Sequence, residues 1–413
     1  MTTVLSILFA LTGLHANTGQ GQGLVDEVLE VTSQIRGLKV LRPVKAVSHT
    51  KEKILDYVKE RISEEYPGES LEEEGRLLKH LGWIPVEMDY RATLQEFVTA
   101  QVAGYFDPFR ERFVLATWLP DLVQKPIIAH ELVHALQDQH FGLKKALKRI
   151  PGNDDATIAR SAIIEGDATI AMLAYTMGGT DMSALKPAAA SLSQQTRDAP
   201  TLTTRHIPYY MRMSLIFPYT GGIQLLLKKM EKSRWKGVNA LHKSYPKSTE
   251  QLLHPDRYPK DQPLVVRLEA RNALGPWQES LRNRFGELGF RFLASPLGKQ
   301  DILAAQLTNG WGGDQYMFLK KGKDRGLAAC VLTDEPEQRV NYRTLVELSL
   351  SSRYNQPPTV SRQSQGQVIS DGFQIAWREV PRGLAWVELP DSAQQAAKLL
   401  DAIAASCKVR KRQ

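Results

Sequence analysis

Residues 127–142 read IIAHELVHALQDQHFG, with three histidines inside a largely apolar run. His130 and His134 are four residues apart, so on a helix they differ by about 40° of rotation and one turn of rise. Both imidazoles then face one point and can share a Zn²⁺ ion, with Glu131 beside them as a carboxylate able to take a proton from water as a general base. Ile127, Ile128, Leu132, Val133 and Leu136 predict that this helix is buried. Buried His, Glu and His side chains need a partner, and a metal supplies one.

The third ligand is the open question. His140 follows His134 by six residues, the spacing of the longer HExxHxxGxxH pattern, but that pattern needs glycine where this chain has Gln137. If the helix continues through Gln137, His140 is turned about 120° away from His134 and misses the shared point. The rival is Glu165 in SAIIEGDATIAML, because a lone Glu in so apolar a helix is costly to bury unless paired or metal-bound. Asp167, two residues on, faces elsewhere as a cap or as support behind the ligands. Asp138, four residues after His134, is a candidate to orient an imidazole.

Around this motif the patterns predict an α+β protein. The segment 23–84 is mostly helical, with Thr50 ahead of KEKILDYVKERI, Ser70-Leu-Glu-Glu73 as a capping box, and LKVLRPVKAVS, between Gly37 and Ser48, as a strand. After a helix near Arg91 to Ala100, two short aromatic runs flank Asp107-Pro108 and predict a β-hairpin; Pro126 then fits the first turn of the histidine helix. A long apolar helix follows from Asp155 to Met177, and Lys186 to Pro200, rich in Ala, Ser and Gln, reads as a linker or loop. Further helices are expected at 209–229 and 235–245. Past Pro263, short strands such as PLVVRL and LAACVLT alternate with helices, which places a boundary near 262: a catalytic domain over 17–262 and an accessory α+β domain over 263–413.

The opening residues 1–16 carry an apolar run from Val4 to Leu14 followed by small residues, the form of a signal peptide, so export to the periplasm, envelope or medium is expected. No later run is long enough for a stable membrane span. The chain has 53 Lys and Arg against 45 Asp and Glu, a net charge of +8, and ends KVRKRQ. Without aromatics interleaved among these basic residues, a nucleic-acid partner is not expected. Cys330 and Cys407 either pair, stapling the C-terminus to its domain, or are separate core thiols. Oligomeric state is not readable.

HELVHALQDQHF, the EGDA block at 165–168, FPY at 217–219, STEQLLHPDRY at 248–258 and GWGGD at 310–314 together resemble a family of secreted microbial zinc metallopeptidases of the gluzincin type, over roughly residues 85 to 320. The resemblance implies a zincin-like domain in which His130, His134 and Glu165 bind Zn²⁺ and Glu131 is the catalytic base. It also implies that AGYFDP and RFVLA are strands beside the active-site helix, whose edge holds a peptide or protein substrate. His254 and Tyr219, each in a matching block, are the candidates to stabilise the oxyanion. GWGGD reads as a tight turn. The usual gluzincin layout has Asp four residues after the ligand Glu, where this chain has Thr169. The expected function is therefore a zinc-dependent hydrolase acting on peptide bonds; the alternative is a zinc-stabilised envelope or extracellular binding protein without turnover.

Overall fold

The computed structural model describes residues 21–101, 104–116, 121–198, 207–294, 301–354 and 364–409. The expected signal segment, and the chain from 410 on, lie outside the described residues. In chain order the elements are α1 (Gly21–Arg36), β1 (Lys45–His49), α2 (Lys51–Glu65), α3 (Ser70–His80), α4 (Tyr90–Gln101), β2 (Gly104–Asp107), β3 (Arg112–Ala116), α5 (Asp121–Phe141), α6 (Leu143–Ala146), α7 (Asp154–Thr176), α8 (Met182–Asp198), α9 (Tyr209–Thr220), α10 (Ile223–Ser233), α11 (Trp235–Lys243), α12 (Glu250–Leu253), β4 (Gln278–Asn283), α13 (Gly286–Ala294), α14 (Asp301–Thr308), β5 (Trp311–Lys321), β6 (Asp324–Thr333), α15 (Arg339–Arg353), β7 (Gln365–Ser370), β8 (Phe373–Val380), β9 (Gly383–Leu389) and α16 (Ala393–Ser406). The class is α+β, and no helix among the described residues is long and apolar enough to cross a membrane.

Two compact units result: the described residues of Met1–Gly68, Met88–Arg149 and Thr157–Pro246, and those of Glu69–Glu87, Ile150–Ala156 and Lys247–Gln413. The division falls at 246/247 rather than near 262. Thr249 is the reason: its N–H and hydroxyl both donate to Asp155, and its oxygen accepts from the Leu288 N–H, which ties the STEQLLHPDRY block into the second unit. Segment 69–87 joins the same unit because Glu73 pairs with Arg325 and Arg76. That use of Glu73 also means that the expected capping box does not form; α3 has Glu69 at its N-cap, with no side-chain bond there.

In the first unit, a three-stranded sheet has the order β1-β3-β2, with β1 parallel and β2 antiparallel to β3. The hairpin forms at Asp107-Pro108, where the Asp107 carboxylate accepts the N–H groups of Phe109 and Arg110 and closes the turn. Phe106 and Phe113 share a core with Val25 and Val28 of α1 and with Ile128, Leu132 and Leu136 of α5. Helix α5 starts at Asp121, ahead of the expected start, so Pro126 lies inside it, and it continues past Gln137 to Phe141. The expected linker at 186–200 is largely helix α8. Alanine is the strongest helix former, and the buried positions Leu185, Ala189 and Ser193 recur every four residues along one face.

The second unit is built on a fully antiparallel six-stranded sheet of order β4-β5-β6-β9-β8-β7. Helix α16 packs Leu399, Leu400 and Ile403 onto Met317, Ala328, Cys330 and Val387. The segment PLVVRL is not one of the strands; it runs beside β5, with the Leu264 N–H on the Gly312 carbonyl. A Cβ on Gly313 would lie 2.4 Å from the Leu264 oxygen, so GWGGD is glycine-rich for close backbone approach and mostly forms the head of β5 rather than a turn.

Cys330 and Cys407 form a disulfide, Cα to Cα 5.7 Å, across a separation of 77 residues. Closing a loop of that length removes unfolded-chain entropy equivalent to about 4 kcal/mol. Cys407→Ser is accordingly expected to lower the denaturant midpoint of the second unit, followed by tryptophan fluorescence; an unchanged midpoint would show that the staple contributes nothing.

Candidate metal centre

Helix α5 supplies His130, Glu131 and His134, and α7 supplies Glu165; all four are buried. The Nε2 atoms of the two histidines are 3.2 Å apart, and the Glu165 carboxylate lies 3.3 Å from His130 and 3.2 Å from His134. A tetrahedral metal with ligands at 2.0–2.1 Å spaces those ligands about 3.3–3.4 Å apart. The triangle thus fits one face of a zinc tetrahedron, and it is one of two groups of three metal-capable side chains among the described residues. The other, Glu250, Asp261 and Asp334, surrounds the guanidinium of Arg257.

Burial and the neighbouring charges act on these groups in opposite directions. Burial works against charge on Glu165, yet the two imidazoles outweigh it and hold its carboxyl down at about 2. Burial also opposes protonation of His134, but Glu165 prevails and raises it to about 9, while His130 is lowered by its burial. The two shifts share one cause, the opposite charges that His134 and Glu165 offer each other. A divalent cation among the three would likewise favour the ionised carboxylate.

Glu131 is held differently. One carboxylate oxygen accepts the Phe106 N–H of β2 at 2.9 Å. The other is buried without a hydrogen-bond donor among the described residues. Burial raises its pKa to about 8, and the charge of a bound cation would bring it back toward the carboxylate range. The Phe106 N–H pins the side chain next to the triangle with one oxygen left for chemistry.

The next layer runs through Gln137. The Nδ1 of His134 meets Gln137 Oε1 at 2.9 Å, while Gln137 Nε2 donates to the Ile164 carbonyl at 3.0 Å and to Asp167 at 2.8 Å. Asp167 is fully buried between Arg36, at 2.7 and 3.0 Å, and His242 Nε2, at 2.8 Å. Burial alone would raise the pKa of Asp167; Arg36 and His242 outweigh it and hold the carboxyl well below the usual range. Arg36 also lies over the Trp235 ring at 4.5 Å and donates to Asn239. Neither Arg36 nor His242 carries a sequence signal for this role, and Gln137 shows only that it follows His134 by one helical turn.

The remaining candidates separate. His140, partly exposed, meets the Lys39 carbonyl at 2.8 Å and is no part of the triangle. Asp138 does not orient an imidazole, because it pairs with Arg42 at 2.8 Å. Thr169 donates to the Glu165 carbonyl. Tyr219, at the end of α9, has its ring 5.8 Å from that of His130. Glycines let α9 and α10 approach so closely: a Cβ on Gly222 would lie 2.1 Å from the Ala162 oxygen of α7. His254 belongs to the second unit, where it meets Glu287 at 3.0 Å, whereas the triangle, Glu131 and Tyr219 all belong to the first. The chain matches no protein-family model, no curated protein and no solved structure.

Proposed function

We propose that the protein is an exported zinc-dependent peptidase with a zincin-like first unit. The observation that carries this reading is the triangle of His130, His134 and Glu165 at tetrahedral spacing, with Glu131 pinned beside it. Bound there, Zn²⁺ would lower the pKa of water and polarise a carbonyl. The chain's own residues do the rest. Glu131 uses its unpartnered oxygen to take the proton of the attacking water and deliver it to the leaving amine, and the Phe106 N–H fixes its rotamer for both transfers. Tyr219, beside His130, is the donor to the carbonyl oxygen as it gains charge. His254 is set aside for that role because Glu287 occupies its Nε2. Strand β2 is one edge of its sheet, but its four residues are buried and its Phe106 N–H is held by Glu131, so the expected pairing of an extended peptide along it is not part of the proposal.

Two further observations support parts of this reading. Disulfides persist in oxidising compartments, which agrees with export. A binding protein without turnover has no use for a buried carboxylate beside its metal, and Glu131 is such a group. The test is cleavage of an unfolded protein substrate by the full chain. Chelation is expected to abolish cleavage and added Zn²⁺ to restore it; cleavage indifferent to chelator, or none by the zinc-loaded protein, would refute the proposal.

A further inference from the structure

We infer that Gln137 is a positioning residue that selects which nitrogen of His134 faces the metal, and that the Asp167, Arg36 and His242 cluster holds Gln137 in the one orientation that does so. The inference rests on the zinc reading above and concerns how the chain prepares that site.

A buried glutamine amide has two orientations related by a half-turn, and they have opposite consequences for the histidine. With its oxygen toward His134, the amide can only accept, so Nδ1 carries a hydrogen and Nε2, on the side of Glu165 and His130, is the nitrogen left to give its lone pair to a metal. Turned over, the amide would donate to Nδ1, the hydrogen would move to Nε2, and the ligand face would be blocked. The surroundings decide between the two. The amide nitrogen sits 3.0 Å from the Ile164 carbonyl and 2.8 Å from the Asp167 carboxylate, both acceptors. The turned-over amide would set its oxygen against both, a buried like-pole contact with no donor to relieve it. Asp167 is in turn fixed by a two-bond contact with Arg36 and by His242, all three buried.

Histidine ligands commonly owe their ring orientation to a carboxylate or backbone carbonyl on the far nitrogen. In this chain the carboxylate acts at one remove. The Gln137 amide transmits the orientation without placing a second negative charge next to His134. It also makes the metal site depend on α1, which is 131 residues from Asp167 in sequence and carries Arg36.

The experiment is zinc affinity of the full chain, by competition with a chromogenic chelator, for wild type, Gln137→Met and Asn239→Ala. Methionine keeps the length and removes all three polar contacts of the amide, while Asn239 touches Arg36 but neither Gln137 nor His134. Gln137→Met is expected to bind zinc about 10–100-fold more weakly, with a shifted visible spectrum when loaded with Co²⁺, and Asn239→Ala to stay within about twofold of wild type. Equal affinity and an identical Co²⁺ spectrum in Gln137→Met would overturn the inference. Should Gln137→Met fail to fold, ¹⁵N-histidine spectra of zinc-loaded wild type give the answer directly: His134 protonated at Nδ1 and ligated through Nε2 supports it, and ligation through Nδ1 overturns it. A wild type that takes up no zinc overturns the metal reading as well, which separates the two failures.

Discussion

Glu131→Gln is expected to keep its zinc and to lose peptide cleavage by about 10³-fold or more, the scale on which a positioned general base contributes. The side chain is isosteric, and Phe106 can still donate to the amide oxygen that replaces the carboxylate oxygen. What disappears is the acceptor for the water proton, since an amide is not a base at any accessible pH. Because Glu131 is not among the three triangle residues, metal content is predicted to match wild type. Removing a buried carboxylate that burial disfavours is also expected to leave the fold as stable or slightly more stable. Steady-state cleavage, metal analysis and thermal unfolding of the same preparation check all three statements. Undiminished cleavage in Glu131→Gln would mean that another group is the base.

Asp167→Ala is expected to destabilise the first unit by about 3–5 kcal/mol, because it leaves the Arg36 guanidinium buried and unpaired. Both partners are fully buried, so solvent cannot compensate. The pH dependence has a definite sign. The folded pKa of Asp167 is depressed, so its contribution is present above the pKa of about 4 of an unfolded aspartate and declines as the pH falls toward the folded value. Denaturant melts of wild type and variant at pH 7 and pH 3 should therefore differ most at pH 7. A difference below about 1 kcal/mol at pH 7 would show that Arg36 finds another partner and that the cluster does not anchor the first unit.

Several features of the site are legible in the sequence because they are local. HELVH carries its own spacing, and the residue at 137 announces that α5 does not break, which is why His140 turns away to the Lys39 carbonyl. Glu165 stands out as a charge within an apolar helix. Asp107-Pro108 marks the hairpin through turn chemistry that the Asp107 carboxylate completes on the spot. What the sequence hides is set by distant partners. Gln137 acts through Asp167, 30 residues on, and Asp167 through Arg36 and His242, 131 and 75 residues away, and no local pattern couples them. Asp138 has the helical spacing of a support for His134, but Arg42 takes its carboxylate.

The misread elements have similar causes. Helix α8 reads as a linker because its buried face uses Ala189 and Ser193 as well as Leu185, a weak apolar signal on a strong helix former. The unit boundary moves because Thr249 and Asp155, 94 residues apart, are joined by hydrogen bonds that composition does not foretell.

Metal content after purification and dialysis, measured for wild type, Glu165→Ala and His140→Ala, tests the two-helix centre most directly. Stoichiometric zinc in wild type and His140→Ala with none in Glu165→Ala is the result predicted from the triangle of His130, His134 and Glu165. Zinc retained in Glu165→Ala and lost in His140→Ala would contradict it.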